Sequence, residues 1–179
     1  KPMTSNTDDE RDFQVVPVES RAQLRRFVNF PYHFYRENPC WVPQFRQDEW
    51  RFHLPEHNAF LRTNPVQFFL AVRGKQVLGR IAAIINRDHD RTHGEGTGFF
   101  GRFECRNNPE VARALVETAA KWVERRGARR LRGPTDFSTN NVSGLLEKGF
   151  SHPPRILMPY NPRYYLDLLD QCGFRTVMR

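Results

Sequence analysis

The junction between TGFFGRFEC (97–105) and RNNPEVARALVETAAKWVERRG (106–127) constrains this chain more than any other stretch. The first segment is apolar and aromatic and reads as a strand. Asn108 can cap the amides exposed at a helix start. Pro109 suits the first helical position, where a missing N–H costs nothing, and Glu110 sits at the positive end of the helix dipole. Ala112, Val116, Ala119 and Val123 form one apolar stripe, with Val111, Leu115 and Trp122 beside it. The helix is predicted to run to about Arg126 and to end at Gly127. RLRG (130–133) follows as a short strand, which completes a βαβ-like unit and calls for an α/β fold.

Upstream, QFFLAVR (67–73) and QVLGRIAAIIN (76–86) flank Gly74-Lys75 and predict a hairpin with a tight turn. Residues 81–85 are apolar throughout, as in a strand buried on both faces. FQVVPV (13–18) reads as a first strand ended by Pro17, and Ser20 as the cap of a helix carrying Leu24, Phe27 and Val28. Residues 30–64 are rich in aromatics, Pro and His and predict short helices near 31–36 and 47–53 between proline-bounded turns. Residues 87–98 read as a polar connection, 134–142 as a polar loop, 144–150 as a short helix and 156–159 as a strand. Asn161-Pro162 reads as a further helix start, with an end at Gly173 and a last strand at 174–178.

A chain of 179 residues suits one domain, read here as residues 13–179 behind a flexible tail at 1–12. No stretch approaches the roughly 18 consecutive apolar residues of a membrane span, and residues 1–12 lack the apolar core of a secretory signal. Cys40, Cys105 and Cys172 are odd in number and lack a CxxC pair, which argues against a disulfide framework and for a reducing cytoplasm. The net charge of +8 favours anionic partners: nucleic acid, acidic membrane or a phosphorylated cofactor.

Unpaired amides at the start of the 109–126 helix would suit a pyrophosphate, with Arg106 adding positive charge. No metal site is expected. His53/His57 are spaced i, i+4 but Pro55 separates them, and His89/His93 fall in the Gly-rich connection. Cys105 reads as a small strand residue, with no His adjacent to make it a nucleophile.

The element order, together with VLGRIAAIIN, GFFGRFEC, the 106–111 turn with its long helix and YYLDLLDQCGFRTV, resembles the GNAT acyltransferase superfamily. GRIAAIIN, FFGRFEC, RGPTDFS and MPYNPRYY further resemble one bacterial branch of it. The resemblance implies a mixed, mostly antiparallel twisted sheet flanked by helices, with its final strands missing from the pattern. It also implies acetyl-CoA or another acyl-CoA as co-substrate. The pyrophosphate would lie on Arg106, Asn107, Asn108, Pro109, Glu110 and Val111, where Pro109 and Val111 replace a glycine and a small residue of the family pattern. The pantetheine arm would pair with backbone at Phe103, Glu104 and Cys105, assisted by the side-chain amide of Asn161, with Asn140 and Asn141 as second choices. Glu104 is implied as general base. Leu168-Leu169 stand where the family carries its acid tyrosine, so Tyr160 and Tyr164 become the candidates, with Tyr165 nearby.

Two functions follow. One is direct transfer of an acetyl or longer acyl group to an amine of unidentified acceptor, with the 30–60 region walling a pocket roomy enough for bulky groups. The other is an inactive GNAT-like module that binds nucleic acid or another anionic partner. A homodimer is left open by both.

Overall fold

The computed structural model describes residues 12–137 and 141–178. The tail at 1–11 and Asn140 lie outside them, while Asp12 pairs with Arg73 at 2.7 Å. Five strands form one sheet in the order β1-β2-β3-β4-β5: β1 Gln14–Pro17, β2 Val66–Arg73, β3 Gln76–Ile85, β4 Thr97–Cys105 and β5 Arg130–Arg132. The first four strands pair antiparallel. β5 returns parallel to β4, with Gly98 opposite Leu131, after a crossover through helix α5 (Pro109–Glu124). This is the mixed, mostly antiparallel sheet expected.

Side-chain alternation explains the apolar runs. Phe69, Ala71, Ile81 and Ala83 face α5, while Phe68, Leu70, Ala82 and Ile84 face the other layer. That layer holds α1 (Arg21–Phe34), α2 (Arg46–Phe52) and α3 (Ala59–Thr63). Strands buried on both faces cannot alternate in hydrophobicity.

The structure corrects the sequence expectations in six places. Helix α1 runs through Pro31 to Phe34, where a break and a second helix were expected. A capping box between Ser20 and Gln23 starts it, and Leu24, Phe27, Val28 and Phe30 bury its stripe, which outweighs the proline. The polar connection contains α4 (Arg87–His93), capped by Asn86 and ended by Gly94 at φ 61°. Residues 144–150 form no helix and 156–159 no strand: Ile156-Leu157 is a turn, with Leu157 at φ 63°. Residues 174–178 are likewise not a strand; the Phe174 amide bonds the Leu169 carbonyl of α6 instead. Finally, α6 spans Tyr165–Gln171, and Asn161 does not cap it. No helix among the described residues is long and apolar enough to cross a membrane.

One irregularity in β4 fixes the site. The register steps from Ala82–Gly101 to Arg80–Glu104, so β4 carries an extra residue there, and Arg102 adopts φ 50°. Phe100 faces α5 before the bulge, and Phe103 and Cys105 face it afterwards. Without the extra residue, Glu104 would point into the α5 core; with it, Glu104 shares the opposite face with Arg80.

Candidate active site

Glu104 lies at the centre of a polar cluster assembled from four elements. Its Oε2 accepts hydrogen bonds from Tyr35, just beyond α1, at 2.6 Å and from Tyr165 of α6 at 2.8 Å. Arg80 of β3 places Nη2 3.9 Å from Oε1. Burial raises the Glu104 carboxyl above the usual range, and Arg80 together with the two phenols opposes the rise. Burial also holds both phenols, Tyr35 and Tyr165, well above the ordinary range, with the Glu104 charge adding to it. They stay protonated as donors.

The strand's outer edge is engaged as well. Past Arg132 the chain crosses β4 so closely that a Cβ on Gly101 would collide with the Thr135 carbonyl, then leaves the edge. Tyr164 and Tyr165 take its place. The Cys105 amide donates to the Tyr165 hydroxyl at 2.7 Å, and the Cys105 carbonyl accepts from Tyr164 at 2.9 Å. Tyr165 thus links backbone to carboxylate in one relay. A pantetheine arm pairing at Cys105 would exchange places with these hydroxyls.

At the α5 turn, Asn108 Oδ1 accepts from the amides of Glu110 at 2.9 Å and Val111 at 3.2 Å. Ala112 N bonds the Asn108 carbonyl and Pro109 has no N–H, so the unpaired amides expected there are internally satisfied. Arg106, Asn107, Pro109 and Glu110 are exposed, whereas Val111 is buried in the core. Arg106 leaves a positive charge exposed beside this capped turn. Phe103 packs its ring 5.2 Å from Tyr165. Burial pushes the Cys105 thiol up to about 12, which suits an inert core residue.

The other candidates lie elsewhere. Asn161 is buried; its Oδ1 accepts from Leu146 N at 2.7 Å and its Nδ2 donates to the Pro162 carbonyl at 2.9 Å, which ties the preceding loop to α6. Tyr160 donates to Asn38 Oδ1 at 2.9 Å. It helps to line an open cavity of about 460 Å³ with Phe34, Tyr35, Cys40 and Phe150. Tyr35 is therefore both a wall of that cavity and a ligand of Glu104. His89 and His93 share α4, with ring centroids 4.5 Å apart, so the pair is helical after all. No group of three or more potential metal ligands occurs among the described residues.

Beside the cluster, Arg102 pairs with Glu49 of α2 at 3.1 Å and with Asp136 at 3.2 Å. These contacts pin the bulge that aims Glu104.

Residues 27–150 match the acetyltransferase (GNAT) family. The chain belongs to it. The "Bacterial ceramide synthase" of Caulobacter vibrioides is 33% identical over 164 residues, 91% of this chain and 43% of that one. Protein YghO of Escherichia coli is 32% identical over 157 residues, 87% and 40% of the respective chains. The chain thus spans less than half the length of these curated relatives. An aminoglycoside acetyltransferase from a soil metagenomic sample is similar in structure at a TM-score of 0.48 and 10% identity, over 69% of this chain and 78% of that one.

Three residues of the GNAT cluster escaped the sequence reading in their present roles: Tyr35, Tyr165 as a ligand of Glu104, and Arg80. Arg80 carried a signal, a lone charge in the run LGRIAAII. A charge buried on such a strand needs a partner. Tyr35 carried none, since its contact with Glu104 spans 69 positions.

Proposed function

We propose that this chain is the acyl-transferring part of an acyl-CoA-dependent N-acyltransferase, with Glu104 as general base and a long-chain amino alcohol as acceptor. The observation that carries this reading is the position of Tyr35, with its ring in the cavity wall and its hydroxyl on Glu104. An amine held between Phe34, Tyr35 and Tyr160 would be separated from the carboxylate by the Tyr35 side chain alone, so the Tyr35 hydroxyl would have to yield for it to reach Glu104. The acceptor class follows from the name of the Caulobacter relative, because a ceramide is an N-acylated long-chain amino alcohol. The cavity's aromatic lining suits an alkyl chain.

An alkylammonium must lose a proton before it can attack a thioester. A carboxylate with a raised pKa accepts that proton nearer neutral pH. Tyr165 and Tyr35 hold Oε2, which leaves Oε1 turned toward Arg80 as the oxygen free to take it. The acyl-CoA supplies the activated thioester, and Arg106 with the 107–111 turn would bind its phosphates. Tyr164, half-buried at the strand edge, is the candidate donor to the departing thiolate, while Tyr160 serves the acceptor pocket. The three free cysteines suit a reducing cytoplasm.

The test is thiol release from acetyl-, octanoyl- and palmitoyl-CoA, with a sphingoid base or a short soluble amine as acceptor. Release that depends on the long-chain amine and is lost in Glu104→Gln supports the proposal. Absence of both CoA binding and thiol release overturns it. In that case, steeply salt-dependent retention of DNA identifies the chain as the binding module that its +8 charge also allows.

A further inference from the structure

We propose that Arg80 is a positioning residue for Glu104, and that Pro31 frees the backbone carbonyl that holds Arg80 in place. In an unbroken helix the amide of residue 31 would bond the carbonyl of Phe27. Proline has no N–H to offer, and its ring crowds that carbonyl. The Phe27 oxygen instead accepts a hydrogen bond from Arg80 Nη1 at 2.8 Å. The guanidinium, on a residue only 3% exposed, also lies over the Phe27 ring at 4.9 Å. A helix-breaking residue thereby becomes one half of a cation site.

The distances give this anchor its meaning. Arg80 Nη2 stands 3.9 Å from Glu104 Oε1, close enough for the cation to favour the ionised carboxylate and too far for a hydrogen-bonded fork. A bidentate pair would cover both carboxylate oxygens and lock Glu104 as a structural ion. Holding the guanidinium on a neutral carbonyl leaves Oε1 open. The same turn of α1 reaches Glu104 a second way, because the Pro31 carbonyl accepts from Tyr35 N at 2.8 Å and so sets the residue whose hydroxyl binds Oε2. The groups that face Glu104 are Arg80 from β3, Tyr35 from the end of α1, Tyr165 from α6 and Arg102 from β4. Glu49 and Asp136 act through Arg102.

The catalytic value of this arrangement rests on the base role proposed above, but the positioning itself can be read without any activity. The experiment follows the Glu104 side-chain carboxyl by ¹³C NMR through a pH titration, alongside the melting temperature, in wild type and three variants. Arg80→Met is expected to raise the Glu104 midpoint by about one pH unit or more, and Arg80→Lys to return part of that shift. Pro31→Ala restores an amide that competes for the Phe27 carbonyl. Its midpoint should fall between wild type and Arg80→Met, while the melting temperature stays level or rises. A purely structural proline would change the melting temperature alone, and that result, or an unmoved midpoint in Arg80→Met, overturns the proposal. Should Arg80→Met not fold, Pro31→Ala and Arg80→Lys decide the matter by the same midpoints. Shifted midpoints in a chain that turns over no thioester would leave the positioning intact and sink the base role.

Discussion

The hydroxyl of Tyr165 donates to Glu104 Oε2 at 2.8 Å and itself accepts from the Cys105 amide at 2.7 Å. One phenol therefore satisfies a buried N–H and orients a buried carboxylate. Tyr35 donates to the same Oε2, and among the described residues its hydroxyl satisfies no backbone group.

This asymmetry separates two conservative changes. Tyr165→Phe orphans the Cys105 amide and should cost about 1–3 kcal/mol in urea unfolding. Tyr35→Phe should cost less than half as much. Both should raise the Glu104 titration midpoint, since each removes a donor to the ionised form. Equal losses of stability would show that the amide is satisfied some other way.

His53 should make stability depend on acid. Burial, reinforced by Arg102, holds this imidazole well below its usual range, and its Nδ1–H donates to the Glu49 carbonyl at 2.6 Å. The unfolded chain binds a proton there that the folded chain refuses. Stability is therefore lost as pH falls below about 6.5, by up to about 1.4 kcal/mol per pH unit. Glu104 and Asp136, with raised carboxyls, act in the opposite sense closer to the carboxylate range, so urea midpoints are compared at pH 7.5 and 5.5. His53→Leu should flatten the difference, and parallel curves would refute the assignment.

Gly101 allows the chain after β5 to cross β4. A methyl group at this position meets the Thr135 carbonyl, which is backbone and cannot rotate aside. Gly101→Ala should destabilise by about 1–3 kcal/mol. It should also loosen the Arg102–Asp136 pair, seen as exchange broadening of the residue 136 amide. A stable variant with an unchanged spectrum would show that the crossing can yield.

Asn108 should show opposed effects. Asn108→Ala removes the cap from α5 and should cost about 1 kcal/mol in stability. It also releases the Glu110 and Val111 amides. Calorimetry with inorganic pyrophosphate should then show tighter binding than wild type, and weaker binding would mean that the asparagine itself contacts the anion.

The sheet was legible because its signals are local. The β2–β3 hairpin follows from two apolar runs about Gly74-Lys75, and α5 from Asn108-Pro109-Glu110 with its stripe. The opposite holds for α1, where a proline signals a break locally although tertiary burial of Phe27, Val28 and Phe30 carries the helix through it. The direction of Glu104 could not be read at all. It turns on a single extra residue in β4, and nothing in GFFGRFEC reveals a bulge before the partner strand is known. The tyrosine pair was visible as a motif, yet its approach to Cys105 depends on β5 ending early, which is a property of the crossing at Gly101 and not of α6.

Pro31 separates robustness from competence. An interior proline burdens a helix by about 3 kcal/mol relative to alanine, so a variant library challenged by heat would keep Pro31→Ala at least as well as the parent. A screen for turnover should run the other way. The position at which those two rankings invert would then mark, with no structure in hand, where α1 gives up helical stability for the carboxylate it serves.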